Sequence, residues 1–280
     1  MRVLITGASG RIGSRIAEKF VQDYDVTGLD IMGGPYTTVI GSITDRQLVT
    51  HLCARVDAVI HTAALHAPHV GILPDSDFRQ TNVIGTQVLL RGSMRGSVKR
   101  FIYTSSTSLY GQAMIPQDRA VWVTEELVPK ARDIYDETKL AAEEECAKAA
   151  QTGLSCISLR ISRCFPESEN LMAIYRLYRG VDARDVAQAH ALALSSNLKG
   201  FQRFNISAAT PFLPEDTRDL LSNAGSVILK YFPWVEFEFA QRGWQLPKSI
   251  DRVYAIGKAQ KMLGYQPEYN FESLFNAGVA

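Results

Sequence analysis

The chain has 280 residues, 46% of them hydrophobic and 21% charged, a composition typical of a soluble globular protein. Its 30 basic and 29 acidic side chains nearly cancel, so no charge excess favours nucleic acid or an anionic membrane. The sequence contains no run of 18 apolar residues, the pattern that would indicate a membrane span. The opening MRVLITGASG enters a strand-like run without signal-peptide architecture. We therefore expect a cytoplasmic protein that binds neither nucleic acid nor membrane.

The first predicted elements are a buried strand, a glycine-rich turn and an amphipathic helix. Residues 2–6, RVLIT, suit a buried parallel strand. Gly7, Gly10 and Gly13 follow at G-x-x-G-x-x-G spacing. Such glycines permit a tight turn, close approach of the backbone to a pyrophosphate and close helix packing, with the N–H groups of the helix N-terminus facing the phosphates. Because strand and helix flank the glycines correctly, the pattern predicts dinucleotide binding.

The second predicted strand ends at Asp30, seventeen residues after Gly13. Dinucleotide-binding folds place the acid that binds the adenosine ribose at about this point. A carboxylate there repels the 2′-phosphate of NADP, and no arginine follows directly, so the pattern favours NAD. The alternative is an aspartate that only caps a helix or closes a turn.

Residues 57–61, DAVIH, form an apolar run typical of a buried strand, and residues 77–97 and 134–150 are predicted to be helices. Such strand-like and helix-like segments alternate as far as about residue 160, which predicts a doubly wound parallel sheet with right-handed crossovers, the α/β Rossmann class. We predict an NAD-binding domain over residues 1–160 and a mixed region over 161–280. In the mixed region, a helix at 182–196 returns to the core. The remainder, from residue 204 on, forms a small C-terminal lobe for substrate.

Eight motifs stand in one order along the chain: TGASGRIG (6–13), Asp30, HTAA (61–64), TNVIGT (81–86), YTSSTSLYG (103–111), YDETK (135–139), VDARDVAQAH (181–190) and KAQKMLGYQP (258–267). Together they resemble the extended short-chain dehydrogenase/reductase family, the NAD-dependent epimerases and dehydratases, over nearly the whole chain. The resemblance implies NAD as the cofactor and a small carbohydrate-like substrate. It also implies a homodimer that pairs the helices containing Asn82 and Tyr135.

The resemblance implies three catalytic residues, Ser106, Tyr135 and Lys139. Tyr135 matches the residue that exchanges a proton with a substrate hydroxyl. Lys139 lies one helical turn further on the same face, and its ammonium is expected to lower the tyrosine pKa from about 10 and to bind the cofactor ribose. Ser106 matches the hydroxyl that positions the substrate oxygen, with Ser105 the alternative by one place.

The same resemblance implies a set of cofactor contacts around the glycine loop and the following strand ends. They are Gly7, Gly10, Arg11, Ile12, Gly13, Asp30, Ser42, Ile43, Ala63, Ala64, Asn82 and Lys139. Ser42 stands where the family often has an aspartate, so the backbone there is expected to contribute to adenine binding. His61 is interpreted as structural. His66 and His69 lie in the next loop, and we expect no metal site because a third ligand is lacking.

The segment after the sixth predicted strand departs from the nucleotide-sugar members of the family. It runs only 22 residues from Arg160 to Asp182, and Arg163 stands where those members have an asparagine. The segment is instead similar to compact uronate dehydrogenases, which oxidise free sugar acids. Arg163, with Arg160 or Arg184, is therefore a candidate to bind a carboxylate or phosphate, although for any single one of these arginines a structural ion pair is the favoured interpretation.

His66, Ser106, Arg163 and Trp244 are the candidate substrate residues, with core packing the alternative for Trp244. The favoured function is an NAD-dependent oxidoreductase acting on a hydroxyl or carbonyl of a sugar, sugar acid or related polyol. One alternative is an NAD-dependent epimerase of an activated sugar. Dehydratase chemistry is disfavoured because two hydroxyl residues replace the expected Asp-Glu pair. The other alternative, a non-catalytic NAD(H)-sensing protein, is disfavoured because the tyrosine and lysine are both present.

Overall fold

A seven-stranded parallel sheet lies at the centre of the computed structural model, which describes residues 1–96 and 98–275. Its strands run in the order β3-β2-β1-β4-β5-β7-β8. Their bounds are β1 Arg2–Thr6, β2 Asp25–Asp30, β3 Val39–Ile40, β4 Ala58–His61, β5 Arg100–Ser106, β7 Ser155–Ile161 and β8 Phe201–Ile206. A second, two-stranded parallel sheet pairs β6 Val121–Val123 with β9 Arg252–Tyr254. The predicted doubly wound Rossmann fold is confirmed.

Ten α-helices are assigned within the described residues. They are α1 Arg11–Phe20, α2 Arg46–Cys53, α3 Asp75–Phe78, α4 Gly85–Arg95, α5 Ile134–Ala150, α6 Glu169–Arg176, α7 Ala183–Ser195, α8 Thr217–Tyr231, α9 Val235–Gln241 and α10 Gly257–Leu263. Of these, α1, α7 and α10 pack on one face of the central sheet and α2, α4 and α5 on the other. A π-helical segment, Arg79–Ile84, joins α3 to α4, so the long helix predicted over 77–97 is present as far as the chain is described; its last residue, Ser97, lies outside the described residues. The predicted helix at 134–150 is confirmed.

Alternation along the strands divides the core between the two faces of the sheet. Successive side chains of a strand point to opposite faces. In β1, Ile5 joins an apolar cluster with α1, α7 and α10, whereas Leu4 joins a cluster with α2, α4 and α5. All three central residues of β1 are fully buried. In the segment predicted as a helix over 182–196, α7 packs against α1 on the first of these faces.

A third apolar cluster holds the C-terminal lobe together. It joins α6, α8 and α9 to β9 through side chains such as Leu177, Ile228, Phe239 and Val253. One segment assigned to this lobe from the sequence lies elsewhere: β8 pairs with β7 along its whole length and forms the edge of the central sheet. Its first half carries Gln202 and Arg203, so it lacks the continuous apolar run that marks the inner strands.

Within residues 1–96 and 98–275, no helix is long and apolar enough to cross a bilayer. All four cysteines are free thiols buried in the structure.

Candidate active site

The glycine loop forms a backbone cradle at the end of β1. Gly7 has φ +73° and donates its N–H to the carbonyl of Leu29 at 2.8 Å. A Cβ placed on Gly13 would lie only 2.0 Å from the Gly7 carbonyl oxygen, and one on Gly7 would lie 2.7 Å from the backbone nitrogen of Ala63. These positions therefore admit only glycine. Gly10 begins α1 without a side-chain cap, and no acidic side chain occupies the first turn of that helix. Its uncapped N–H groups suit the pyrophosphate of a dinucleotide.

Asp30 lies beside this cradle, at the end of β2. One carboxylate oxygen accepts the N–H of Ser9 at 2.9 Å and the other accepts the N–H of Met32 at 3.0 Å. These bonds fix the carboxylate at the rim of the loop, where the sequence predicted a ribose contact. The same two bonds fit the alternative role, in which the aspartate closes a turn. The cradle and its neighbouring acid fit NAD.

The remaining predicted cofactor residues follow the ends of β3 and β4. The Ser42 hydroxyl lies 2.8 Å from that of Thr44. Ile43 is buried beside α4, where a Cβ on Gly85 would lie 2.5 Å from its side chain. Ala63 and Ala64 are half-buried directly after β4. All these residues lie at the carboxyl edge of parallel strands, where open α/β sheets bind their ligands.

Arg11 and Ile12 lie in the first turn of α1, Arg11 exposed and Ile12 half-buried. Asn82 is buried in the π-helical segment, and its side chain bonds within the protein. Its amide nitrogen donates to the carbonyl of Leu65 at 2.9 Å and to the hydroxyl of Thr138 at 3.1 Å, and its oxygen accepts the N–H of Leu65 at 2.8 Å. Asn82 thus ties the loop after β4 to the helix that carries the predicted catalytic pair.

His61 is a core histidine, as predicted. One ring nitrogen lies 2.8 Å from the hydroxyl of Thr6 and the other 2.9 Å from that of Thr86. Complete burial, and then the positive charge of Lys139, lower its pKa to about 3. The ring is therefore neutral at physiological pH, and its two hydrogen bonds join β1, β4 and α4 behind the site.

The structure brings together the three residues predicted to be catalytic. Ser106 ends β5, while Tyr135 and Lys139 lie in the first two turns of α5. The Lys139 ammonium donates to the carbonyl of Thr104 at 2.9 Å. It lies 4.8 Å from the ring centroid of Tyr103 and 5.9 Å from that of Tyr135. Tyr135 and Lys139 are only 8% and 4% exposed, so the pair acts in a largely desolvated environment.

Burial governs the ionisation of this pair. It raises the pKa of Tyr135 to about 12, although the Ser106 hydroxyl acts in the opposite direction. It lowers the pKa of Lys139 to about 8, against the attraction of the Glu143 carboxylate. The pKa of Tyr135 therefore lies above its ordinary value and not below it as expected from Lys139, because desolvation of the phenolate is the largest influence on it.

Of the two serines considered for positioning the substrate, Ser106 is the more accessible. The Ser106 oxygen accepts the N–H of Ser108 at 3.1 Å, and its side chain is partly accessible. The Ser105 hydroxyl is buried and has no hydrogen-bond partner within the described residues.

A polar cluster that was not predicted from the sequence holds the Ser106 loop to α5. The hydroxyl of Ser108 donates to Asp136 at 2.6 Å, and Arg132 donates to the same carboxylate at 3.0 Å. Arg132 also donates to the Ser108 hydroxyl at 2.9 Å. Asp136 is fully buried next to Tyr135. Its position inside the YDETK motif was the only available signal, because the partners lie up to 28 residues away.

The candidate anion-binding arginines separate into two groups. Arg160 is fully buried in an ion pair with Glu143, with nitrogen–oxygen distances of 2.6 and 3.0 Å, so the prediction that it assists substrate binding is wrong. Arg163 is exposed, donates to Glu167 at 2.7 Å, and lies near the rings of two aromatic residues. Arg184 is also exposed and donates to Asp182 at 2.9 Å.

The other two candidates for substrate contact, His66 and Trp244, lie in different parts of the structure. His66 follows β4, with its ring centroid 4.9 Å from that of His69. Partial burial, and then the charges of His69 and Lys139, lower the pKa of His66. Trp244 packs in the lobe against Phe239 and Phe275, at centroid distances of 5.4 and 6.0 Å. This geometry matches the core-packing alternative for Trp244.

The fold and site together are those of a nicotinamide-dependent enzyme of the short-chain dehydrogenase/reductase type. Residues 3–174 match the NAD dependent epimerase/dehydratase family, and the chain belongs to that family. The predictions of family, enzyme and NAD as cofactor are thereby confirmed.

Known relatives cover nearly the whole chain. It is 32% identical to a 3 beta-hydroxysteroid dehydrogenase/Delta 5-->4-isomerase of Mycobacterium tuberculosis, over 95% of this chain and 86% of that protein. It is 27% identical to a dTDP-glucose 4,6-dehydratase of Streptomyces antibioticus, over 97% and 89%. A short-chain dehydrogenase/reductase of Agrobacterium tumefaciens with bound NAD has the same fold, with a TM-score of 0.74 at 20% identity over 99% of this chain and 95% of that one.

Proposed function

We propose that the protein is an NAD-dependent oxidoreductase that acts on a hydroxyl or carbonyl group of a sugar, sugar acid or related polyol, with Tyr135 as the acid–base residue. The observation that carries the proposal is the placement of Ser106, Tyr135 and Lys139 at the same edge of the sheet as the glycine cradle. A glycine cradle alone would serve a binding protein, whereas a buried tyrosine and lysine on one helical face serve proton transfer.

In this mechanism Ser106 orients the substrate oxygen and Tyr135 exchanges a proton with it. The cofactor supplies a hydride acceptor or donor. A tyrosine pKa of about 12 keeps the phenol protonated at neutral pH, which suits proton donation to a carbonyl. In the oxidation direction the phenol must first lose its proton, and the Lys139 ammonium is the cation available to stabilise the resulting phenolate.

The other assignments belong to the same proposal. The cofactor is held by Gly7, Gly10, Gly13 and the first turn of α1, with Asp30 on its ribose. The cofactor is bordered by Ser42, Ile43, Ala63, Ala64 and Asn82. Asn82 contributes by positioning the loop after β4. Arg163 and His66 face the substrate. The proposal also includes a cytoplasmic location and a homodimer formed through the helices that contain Asn82 and Tyr135. It divides the chain into residues 1–160 and 161–280.

Epimerisation of an activated sugar is the second candidate. It is supported by family membership and by an undecaprenol-linked N-acetylglucosaminyl 4-epimerase of Escherichia coli that is 36% identical over 39% of this chain. The hydroxysteroid dehydrogenase relatives add a neutral hydroxysteroid as another substrate class for the same oxidation. A non-catalytic NAD(H)-sensing role does not require Tyr135 and Lys139 in the arrangement described.

The cofactor content of the purified protein separates dehydrogenase from epimerase. The protein is purified without added cofactor and denatured, and the NAD and NADH released per chain are measured. We expect little retained cofactor together with reversible NAD binding, because a dehydrogenase exchanges its cofactor at every turnover. Near-stoichiometric cofactor would favour the epimerase. A protein without cofactor and without NAD affinity would overturn the assignment of the glycine cradle.

A further inference from the structure

Tyr103 begins the YTSSTSLYG motif, and the proposed proton transfer gives it no part. It lies in β5, three residues before Ser106, and is only 2% exposed. Its hydroxyl is buried and has no hydrogen-bond partner within residues 1–96 and 98–275. Burial holds the pKa of this phenol well above its ordinary value, so the ring stays uncharged. What the side chain offers its neighbours is therefore its aromatic ring.

The ammonium of Lys139 lies over the face of this ring, 4.8 Å from the ring centroid. The ring of Tyr135 is further away, at 5.9 Å, close to the limit of about 6 Å for such contacts. The face of an aromatic ring carries negative electrostatic potential and attracts a cation, most strongly where water is excluded. Because Lys139 is only 4% exposed, solvent screens this attraction little.

The Lys139 ammonium has few other partners. In the described part of the chain its one hydrogen bond goes to the carbonyl of Thr104, at 2.9 Å, and it forms no ion pair within 4.0 Å. The carboxylate of Glu143 favours the ammonium, but Arg160 donates to that carboxylate at 2.6 and 3.0 Å and offsets its charge. The nearest support for the ammonium is therefore a carbonyl and an aromatic ring.

The groups that face Lys139 come from three parts of the fold. They are Tyr135, Glu143 and Cys146 of α5, Tyr103 and the Thr104 carbonyl of β5, and His61 and His66 of β4 and the loop after it. Burial raises the pKa of the Cys146 thiol well above its ordinary value and lowers the pKa of both histidines. These three neighbours are therefore uncharged at neutral pH.

The charge of Lys139 is balanced near the pH at which the protein works. Burial lowers its pKa to about 8, and a fully buried lysine can titrate as low as about 5–6. A further change of about one unit decides whether the ammonium or the neutral amine predominates near neutral pH. Only the ammonium can stabilise a phenolate at Tyr135, so a partner that favours the charged form supports the proton transfer.

We propose that Tyr103 is a positioning residue of the active site, whose ring face holds the Lys139 ammonium in place and favours its charged form. The proposal rests on the proposed function, because Lys139 serves catalysis only if Tyr135 is the acid–base residue. It assigns to the first residue of the YTSSTSLYG motif an electrostatic task that its unpartnered hydroxyl does not perform.

The ionisation of Lys139 can be measured without cofactor or substrate. Lysine labelled with carbon-13 at Cε is incorporated, and the Cε resonances are followed by NMR from about pH 6 to about pH 11, a range that spans the lowered pKa and that of exposed lysines. The Lys139 resonance is assigned by its loss in Lys139→Arg. NAD is titrated calorimetrically into each protein as a separate measurement, and circular dichroism shows that each variant is folded.

Four variants separate the ring from the hydroxyl and from core packing. Tyr103→Phe keeps the ring and removes the hydroxyl. Tyr103→Leu and Tyr103→Met both remove the ring, so the measurement does not depend on the folding of one of them. Phe101→Leu is the matched control, because Phe101 is a fully buried aromatic residue of the same strand and apolar cluster, and Lys139 does not lie over its ring.

We expect Lys139 to titrate near pH 8 in the wild type, well below the value of about 10.4 for exposed lysines. Tyr103→Leu and Tyr103→Met should lower its pKa by about one unit, a tenfold shift toward the neutral amine, because a desolvated cation–π contact is lost. Tyr103→Phe and Phe101→Leu should change it by less than about 0.3 unit, because both keep the ring beneath the ammonium.

An unchanged Lys139 pKa in the two variants without the ring would overturn the proposal. A fall of equal size in Tyr103→Phe would also overturn it, by assigning the effect to the hydroxyl, and an equal fall in Phe101→Leu would assign the effect to general loosening of the core. In each of these cases normal NAD binding by the wild type leaves the proposed function standing. A wild type that does not bind NAD would instead refute the proposed function, while the Lys139 titration is still decided.

Discussion

The buried ion pair between Arg160 and Glu143 predicts a large, non-additive effect on stability. Arg160 is fully buried, and Glu143 is 4% exposed. Two guanidinium nitrogens donate to the carboxylate at 2.6 and 3.0 Å, and Ser158 adds a bond at 2.7 Å. The Arg160→Met variant keeps most of the side-chain volume but leaves the carboxylate with the serine as its remaining donor in this group.

The magnitude follows from the burial of both partners. Removing one member of a buried pair costs about 3–5 kcal/mol, because the other charge stays desolvated and uncompensated. Replacing both by apolar residues of similar size is often close to neutral. We therefore expect Arg160→Met to lower the free energy of unfolding by about 3–5 kcal/mol, and the double variant Arg160→Met/Glu143→Met to recover most of that loss.

Urea unfolding of the wild type, both single variants and the double variant measures the coupling directly. Arg119→Met is the control, because its pair with Asp118 is exposed and should contribute less than about 1 kcal/mol. A loss below about 1 kcal/mol in Arg160→Met, or a double variant as unstable as the sum of the two single ones, would refute the reasoning.

Three further predictions concern the cradle and the buried histidines. Gly13→Ala should abolish NAD binding and destabilise the fold, because its Cβ would lie 2.0 Å from the Gly7 carbonyl oxygen; unchanged NAD affinity in a calorimetric titration would contradict this. Asp30→Ala should raise affinity for NADP relative to NAD, and an unchanged ratio of the two dissociation constants would assign Asp30 to the turn alone. His61 and His190 have folded-state pKa values of about 3 and 4, below the unfolded value of about 6.5. The unfolded chain therefore binds more protons as pH falls below about 6.5, and the stability these residues contribute should decline from there toward pH 3 or 4, by up to about 1.4 kcal/mol per pH unit for each; an unfolding midpoint equal at pH 7.5 and pH 5 would contradict it.

Local patterns carried most of the fold prediction. Apolar runs marked β1 and β4, and the helix at 134–150 was clear because its composition favours helix over its whole length. The glycine loop formed by Gly7, Gly10 and Gly13 could be predicted from the sequence, because the conformation and spacing of these residues are determined within one strand, turn and helix. The catalytic pair followed from helical spacing once the family motifs stood in order.

Contacts between residues far apart in the sequence could not be predicted from it. Arg160 looked like a ligand for a substrate anion, but Glu143, seventeen residues away, neutralises it in the core. Edge strand β8 carries polar residues, and its place depends on pairing with β7 across the intervening helices. The Tyr135 pKa was predicted from one neighbouring charge, whereas burial by the whole fold determines its direction.

The central claim, that Tyr135 is the acid–base residue of an NAD-dependent oxidoreductase, is tested most directly with Tyr135→Phe. Wild type and variant are compared for NAD affinity and for NADH formation with the free sugars, uronates and sugar phosphates that the wild type oxidises. We predict NAD affinity within about twofold and a loss of at least about a hundredfold in turnover, the range of general acid–base catalysis. Full turnover by Tyr135→Phe would contradict the account.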